Sequence, residues 1–314
     1  MRIPYVVLAA SLLGHATALE AQCTGSPSVQ AICNRAIDAM KTFHPVAGIV
    51  VSGGNPQLGS AKALGGLGHV FVSARLNATK AIVPNPDTAS GGATVEGLVP
   101  APVVEAGIGV WPGLRGGFLA VDALFSATLL PTHAIDKLRV DSNAAHFGSL
   151  ALGIGYGARV SAWRGVFPIP AVSLTVMRRT LPRIAYGQLA ASSVSAGDAF
   201  EFDVDLHATN VRLAASYRLP FVDVAAGIGT DSYTSDGHLQ YYDNPPLNSV
   251  ATVTFRPRNT RQVLFIDAAT KFSVLSLGAE LGYQTGKDQN LSTAYPFNAK
   301  DGHVFWSVGL RVGL

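Results

Sequence analysis

The stretch that decides the fold is the end of the chain, VFWSVGLRVGL, at residues 304–314. Every even-numbered position in it is apolar, whereas the odd-numbered positions after Phe305 are serine, glycine or arginine. A period of two residues places alternate side chains on opposite faces of a β-strand. The stretch therefore predicts a two-faced strand with one wholly apolar face.

The same alternation recurs along the chain. Several of the runs reach about ten residues, which is the length a tilted strand needs to cross hydrocarbon and exceeds the usual five or six of soluble sheets. Their less apolar faces carry mostly glycine, alanine and serine with isolated charges, as the crowded lumen of a narrow barrel would. A soluble sandwich alternates too, but we expect abundant lysine, glutamate and threonine on its wet face. The runs are 70–79, 104–110, 119–129, 149–160, 172–176, 211–217, 222–228, 266–272 and 275–283.

The connections between these runs alternate in length. Short turns fall near 111–117, 161–169, 218–221 and 272–274, and long loops near 81–101, 131–145, 180–200, 230–260 and 285–302. One short rim and one long rim is the pattern of outer-membrane barrels, with the turns periplasmic. We therefore predict an all-β fold: a transmembrane, antiparallel, up-and-down β-barrel of about ten strands, in the range of 8 to 14. Residues 250–255 either extend a hairpin in the 230–260 loop or form an additional strand.

The N-terminus has the features of a secretory signal. Arg2 supplies a positive charge, Val6–Leu13 is a short apolar run, and small residues follow it. We expect cleavage after Ala21, with cleavage after Ala18 as the alternative. The run is shorter than the roughly 20 residues of a membrane-spanning helix. The predicted organisation is a signal peptide at 1–21, a helix and glycine-rich segment at 22–68, and a barrel at 69–314.

The segment 22–68 is expected to form a short helix and a plug for the lumen. Ser26 is a good N-cap, and Pro27 suits the first helical turn. Cys23 and Cys33 follow the signal into an oxidising compartment, so a disulfide between them is predicted. A redox-active pair is the alternative, but the spacing is not C-x-x-C. One apolar stripe is formed by Val29, Ile32, Ala36, Ile37, Met40 and Phe43.

On each predicted strand, alternation places the charged side chains on the face opposite the apolar one, which is the inner face of the barrel. Five cations face five anions there, and isolated buried charges are costly, so we expect them to pair. We favour a salt-bridge network that fills a narrow lumen, and the alternative is a polar conduction path or ligand site. Arg75 and Glu105 are predicted to pair across neighbouring strands, with Asp122 beside them, because the three residues lie at similar heights on consecutive strands. The predicted lumen residues are Arg75, Glu105, Asp122, Arg159, Arg212, Asp223, Asp267, Lys271, Glu280 and Arg311.

Composition argues against several other classes of function. The chain is 48% hydrophobic and 14% charged, with a net charge of +3. It has no run of lysine and arginine, so no nucleic-acid partner is implied. No cofactor or metal motif is found, and we expect no enzyme activity. The pairs His146 with Ser149 and Asp236 with His238 form no recognisable catalytic motif.

The closing residues resemble the assembly signal of bacterial outer-membrane β-barrels. A polar residue, a glycine two positions later and two terminal hydrophobics stand at Ser307, Gly309, Val312 and Leu314, although the class usually ends in phenylalanine or tryptophan. The tripeptide 54–56, Gly-Asn-Pro, after the helix resembles the start of fatty-acid-transporter-type barrels, which place an N-terminal hatch inside the lumen.

The resemblance implies a place in the cell outer membrane, with both termini periplasmic. Membrane lipids, the outer-membrane assembly machinery and an unidentified small molecule are the implied partners. The expected function is to pass or bind small molecules, including hydrophobic ones. The alternative is a closed structural or surface-interaction barrel without transport.

Overall fold

Ten antiparallel strands form the barrel in the part of the chain that the structure describes. The structure is a computed structural model, and it describes residues 23–85, 94–131, 138–140, 146–147, 150–163, 165, 169–186, 189, 200–243 and 249–313. The barrel strands are β1 (Val70–Pro84), β2 (Thr94–Trp111), β3 (Ala120–Pro131), β6 (Leu150–Trp163), β7 (Ala171–Tyr186), β8 (Phe200–Arg218), β9 (Asp223–Thr234), β12 (Arg258–Phe272), β13 (Leu275–Gln284) and β14 (His303–Gly313).

Each barrel strand pairs with its neighbours along the chain, and β14 closes the circle against β1. The closing register runs from the pair Phe71–Gly313 to the pair Thr79–Phe305. The predicted fold class and strand number are therefore confirmed. The remaining strands lie at the long-loop rim: β4 (Leu138–Val140), β5 (His146–Phe147), β10 (Gly237–Asp243) and β11 (Ser249–Phe255).

Residues 250–255, for which the sequence allowed either an extended hairpin or an additional strand, belong to β11 of a hairpin. β10 pairs with β11 on one edge and with the first residues of β8 on the other, so the hairpin extends the sheet above the barrel wall. A helical turn of three residues, Arg115–Gly117, lies in the β2–β3 connection.

The outer face of the barrel is apolar. In β13 the leucines at 275, 277 and 281 are exposed, whereas the intervening Ser276, Gly278 and Glu280 are buried. Large exposed apolar side chains recur in the same phase on the other strands. A soluble protein rarely exposes so extensive an apolar surface. Such an apolar belt is the kind of surface that an outer-membrane barrel presents to lipid.

One long helix, α1 (Pro27–Ser52), lies inside the barrel. Its 26 residues span roughly 39 Å, more than the roughly 30 Å of a bilayer core. Near the long-loop rim, Ile37 and Met40 pack against Phe200 and Leu239. Deeper in the lumen, the valines at 50 and 51 belong to one buried cluster with Leu181 and Leu206.

α1 extends beyond the predicted apolar stripe. The stripe ends at Phe43, and the helix continues through Pro45 to Ser52. A proline inside a helix removes one hydrogen bond and costs about 3 kcal/mol. Packing of residues 46–52 against the barrel wall offsets that cost. Within the described ranges, no helix has the length and apolar character to cross a bilayer.

The two ends of the described chain lie at opposite rims. The backbone N–H of Thr24 donates to Tyr241 Oη (3.1 Å) in the hairpin at the long-loop rim, whereas Gly313 pairs with Phe71 at the short-turn rim. We expected both ends on one side. That holds for the ends of the barrel sheet but not for Cys23, because the chain before β1 runs through the lumen.

The predicted disulfide between Cys23 and Cys33 is present, with a Cα–Cα distance of 5.9 Å. It joins the segment before α1 to the second turn of the helix. Cys33 is fully buried and packs with Tyr241 and Phe255 of the hairpin. The disulfide therefore anchors the N-terminal segment at the long-loop rim.

The outer face should reject charge. Leu277→Arg should destabilise the barrel by about 2–4 kcal/mol, because it places a guanidinium in hydrocarbon, and Leu152→Arg should behave likewise. Thr254→Arg, on the exposed face of the hairpin, is the matched control. Urea unfolding in bilayers measures the difference. Equal stability of Leu277→Arg and Thr254→Arg would mean that this face does not meet lipid.

The sidedness of the N-terminal segment can be tested without assigning a compartment to either rim. An epitope inserted after Thr24 should be accessible from the same side of the membrane as one inserted after Ala294, in the β13–β14 loop. An epitope after Ser273, in the β12–β13 turn, should be accessible from the other side. Antibody binding to oriented vesicles measures this. Accessibility of the first epitope together with the third would contradict the path of α1.

Candidate functional site in the plugged lumen

The inner face of the barrel carries the charges that the strand phase predicts. Asp223 and Arg311 are partly buried, and Lys271 is exposed near the short-turn rim. The others are at most 5% exposed, and they are Arg75, Glu105, Asp122, Arg159, Arg212, Asp267 and Glu280. We call residues 53–68, which follow α1 down the lumen, the plug segment.

Glu105 lies between two arginines. Its Oε2 is 3.5 Å from Arg75 Nε, and its Oε1 accepts a hydrogen bond of 2.9 Å from Arg179 Nη2. Arg179 also donates to the side chain of Asn210. The predicted partners Arg75 and Glu105 are therefore adjacent as an ion pair, but the hydrogen bond to Glu105 comes from Arg179, which was not among the predicted lumen residues. Extending the alternation of 172–176 along β7 would have placed Arg179 inward.

Asp122 has a different partner from the one expected. We expected it beside Arg75 and Glu105, from similar heights on consecutive strands. That was wrong, because Asp122 is the register partner of Arg159 on β6 and accepts hydrogen bonds from its Nε (3.0 Å) and Nη2 (2.8 Å). Its other oxygen accepts the backbone N–H of Leu64 at 3.1 Å. Asp122 thus joins the wall to the plug segment.

Arg212 binds the backbone at the C-terminal end of α1. Its Nη1 and Nη2 pair with the two oxygens of Asp231 at 2.6 and 2.9 Å. Its Nη2 and Nε also donate to the carbonyls of Gly53 (2.8 Å) and Gly54 (3.0 Å). Asp231 is absent from the predicted lumen residues because the sequence predicts a loop at 230–260, whereas β9 extends to Thr234.

Arg75 binds the same end of the helix. Its Nη2 donates to the carbonyl of Ser52 (3.0 Å) and its Nη1 to that of Asn55 (2.8 Å). The last carbonyls of a helix have no partner within it and carry the negative end of its dipole. Two buried guanidinium groups therefore stabilise the C-terminus of α1 at mid-lumen.

Two neighbouring carboxylates hold the plug segment. Asp267 and Glu280 are register partners on β12 and β13. Glu280 accepts the backbone N–H groups of Gly54 (3.0 Å) and Asn55 (2.6 Å). Asp267 accepts the N–H of Gly59 and the side-chain amide of Asn55 (3.2 Å). We expected these carboxylates to pair with cations, but their hydrogen-bond donors are mainly backbone groups of the plug segment.

Gly59 is required at its position for two reasons. Its φ of +76° lies in the left-handed region, and an added Cβ would collide with Ala269 of β12. The plug segment therefore lies directly on the barrel wall at this point.

A second attachment between α1 and the barrel lies at the long-loop rim. Asp38 of α1 is fully buried and accepts hydrogen bonds from the N–H (2.9 Å) and hydroxyl (2.9 Å) of Ser292, the N–H of Thr293 (3.2 Å) and the hydroxyl of Tyr295 (3.0 Å). Burial, together with the charge of Asp38, raises the pKa of Tyr295 to about 12. The β13–β14 loop is thereby bound to the helix.

The predicted assembly-signal residues contact this network in part. Ser307 donates to Asn77 (2.8 Å) or Glu280 (3.1 Å), and Gly309 lies against Arg75. Val312 faces outward, and Leu314 lies outside the described residues. A role of these residues in assembly stays a prediction.

The catalytic candidates Asp236 and His238 each bind another partner. His238 Nδ1 is 3.1 Å from Asp203, and Asp236 pairs with Arg256 at 2.8 Å. Ser149 and the side chain of His146 lie outside the described residues. In the described ranges, no cluster of three or more His, Cys, Asp or Glu side chains could hold a metal ion.

The buried ion pairs should couple strongly. Glu105→Ala leaves two buried arginines without their anion and should cost about 3–5 kcal/mol. The double variant Arg75→Ala with Glu105→Ala should cost at least about 1 kcal/mol less than the sum of the single changes. The exposed pair Arg256 and Asp236 is the control, with a coupling of about 0–1 kcal/mol. Urea unfolding in bilayers measures both cycles, and strict additivity at Glu105 would contradict the pairing.

Comparisons with known proteins give distant structural likenesses. No family model and no curated protein matches the chain. Among solved structures, it is similar to the outer membrane protease OmpT from Escherichia coli, with 10% identity over 78% of this chain and 96% of that chain and a TM-score of 0.40. The translocator domain of the autotransporter NalP from Neisseria meningitidis has 11% identity over 89% and 96%, with a TM-score of 0.44. The toluene transporter TbuX from Ralstonia pickettii has 11% identity over 85% and 93%, with a TM-score of 0.29.

Proposed function

We propose that this chain is a plugged outer-membrane barrel that binds small molecules and passes them only when the plug segment leaves the wall. The proposal includes no catalytic activity. The observation that carries it is that a helix and the plug segment occupy the lumen from rim to rim, held by wall side chains at mid-lumen and by a loop at one rim.

The plug segment is held by polar contacts that water can replace. Arg75, Arg212, Asp267 and Glu280 bind its backbone directly. In a dry lumen, loss of the plug segment would leave the carboxylates of Asp267 and Glu280 without their main donors, at a cost of several kcal/mol per ion. Water that entered as the plug segment moved would solvate the same groups and lower that cost. The lumen is thus closed at rest.

The second candidate is a closed barrel whose long-loop rim contacts partners. The Asp38 attachment favours it, because the β13–β14 loop and α1 would have to move together for the lumen to open. Conductance separates the two candidates.

In planar bilayers the wild-type chain should show no steady conductance. Deleting residues 27–64 should give continuous conductance, because the charges of the wall then line an open path. Asp267→Ala combined with Glu280→Ala should give intermittent openings, since the plug segment loses its main acceptors. Asp203→Ala combined with Asp236→Ala removes two rim carboxylates that do not touch the plug segment and should stay closed.

A heat-shift gel establishes that each variant is folded before its conductance is compared. A folded chain without residues 27–64 that stays closed would refute passage through the lumen. It would support the closed structural barrel. Steady conductance of the wild type at the level of the deletion would refute the role of the plug segment.

A further inference from the structure

A gap in the barrel wall lies between β1 and β14 near the long-loop rim. β14 pairs with β1 only as far as Thr79 and Phe305. β1 continues to Pro84 and pairs there with β2 alone. In the described ranges, no strand occupies the other edge of β1 beyond Thr79. A cavity of about 260 Å³, which we call the seam cavity, fills this gap.

The seam cavity extends across the wall. Thr42 and Pro45 of α1 line its inner side. Ile82 and Val304 also line it, and the alternation of side chains along β1 and β14 places both residues on the outer face. The β13–β14 loop contributes Phe297. A molecule in the seam cavity would therefore touch both α1 and the outer face of the barrel.

The charges at the seam cavity already have partners. Lys80 forms an ion pair with Glu96 of β2. Asp301 accepts a hydrogen bond of 2.6 Å from the side chain of Asn298. A charged ligand would compete with Glu96 for Lys80 or with Asn298 for Asp301, whereas an uncharged ligand leaves both contacts in place. The seam cavity therefore favours an uncharged ligand.

The lining residues and the volume of the seam cavity narrow the class of ligand further. Pro45, Ile82, Phe297 and Val304 provide apolar contact. The side-chain amides of Gln289 and Asn298 each have a second N–H and a second lone pair beyond the hydrogen bonds that they make within the protein. A volume of 260 Å³ lies just below the roughly 300–1,000 Å³ of typical small-molecule pockets. It suits a single ring or a short chain rather than a sugar oligomer or a lipid.

We infer that the seam cavity binds small, uncharged molecules of about one ring that combine an apolar body with one hydrogen-bonding group. The inference rests on the proposed function and names the site and the ligand class for it. The ligand contacts α1 through Thr42 and Pro45, four and seven residues after Asp38 along the helix. Occupancy of the seam cavity and attachment of the β13–β14 loop therefore involve the same stretch of α1.

Binding of three probes of similar size to the full chain in nanodiscs tests the inference. The probes are 4-ethylphenol, which is neutral, 4-ethylbenzoate, an anion, and 2-phenylethylammonium, a cation. Equilibrium dialysis, corrected with empty nanodiscs, should show 4-ethylphenol bound at least tenfold more tightly than either ion.

Two variants locate the site. Ala299→Trp fills the seam cavity and should weaken 4-ethylphenol binding at least tenfold, and Ile82→Trp at its outer side should act likewise. Ala294→Trp makes the same change at an exposed position of the same loop and should bind as the wild type does. A heat-shift gel checks that each variant is folded.

Three results would overturn the inference: no binding of 4-ethylphenol above empty nanodiscs, unchanged binding in both cavity variants, or tighter binding of either ion. These results are independent of the conductance experiment, which uses no probe. A chain that binds 4-ethylphenol in the seam cavity but stays closed without its plug would refute passage and leave the binding site intact.

Discussion

The rest of the structure depends on partnering the charges buried in a narrow lumen. A ten-strand barrel encloses too little space for bulk water around every inward side chain, yet its wall carries buried arginines and carboxylates. Some of these charges pair across neighbouring strands, as Asp122 does with Arg159. Others, such as Glu280, find most of their partners in the backbone of the chain that precedes β1. The N-terminal segment and the barrel wall therefore complete each other.

The C-terminus of α1 shows why the two parts suit each other. A helix end leaves carbonyl groups without partners, and such an end is costly to bury. Arg75 and Arg212 supply donors to the carbonyls of Ser52, Gly53 and Gly54, and the arginines in turn gain acceptors. Immediately afterwards, Glu280 accepts the N–H groups that the turn exposes. Positive and negative wall residues thus follow the polarity of the plug backbone.

This arrangement places the regions of functional interest near the long-loop rim. The plug segment and the end of α1 fill the middle of the lumen. The seam cavity lies above them, between α1, the edge of β1 and the β13–β14 loop. The attachment of that loop to Asp38 lies on the same side of the lumen. A molecule that bound there would meet the parts of the structure that must move if the lumen is to open.

The sequence by itself predicted about ten barrel strands and, along the alternating runs, the face that most side chains occupy. Alternation is a local property, so Arg75, Glu105 and Glu280 could be placed inward from their positions alone. Local patterns end where loops are inferred, and for that reason Asp231 was missed. Only the tertiary structure decided the partners: Asp122 pairs with Arg159, and Asp267 binds the plug segment. The height at which Asp122 meets Arg159 across the long β3–β6 connection, and the path of α1 through the lumen, depend on contacts between residues far apart in the chain, which the local spacing of residues does not encode.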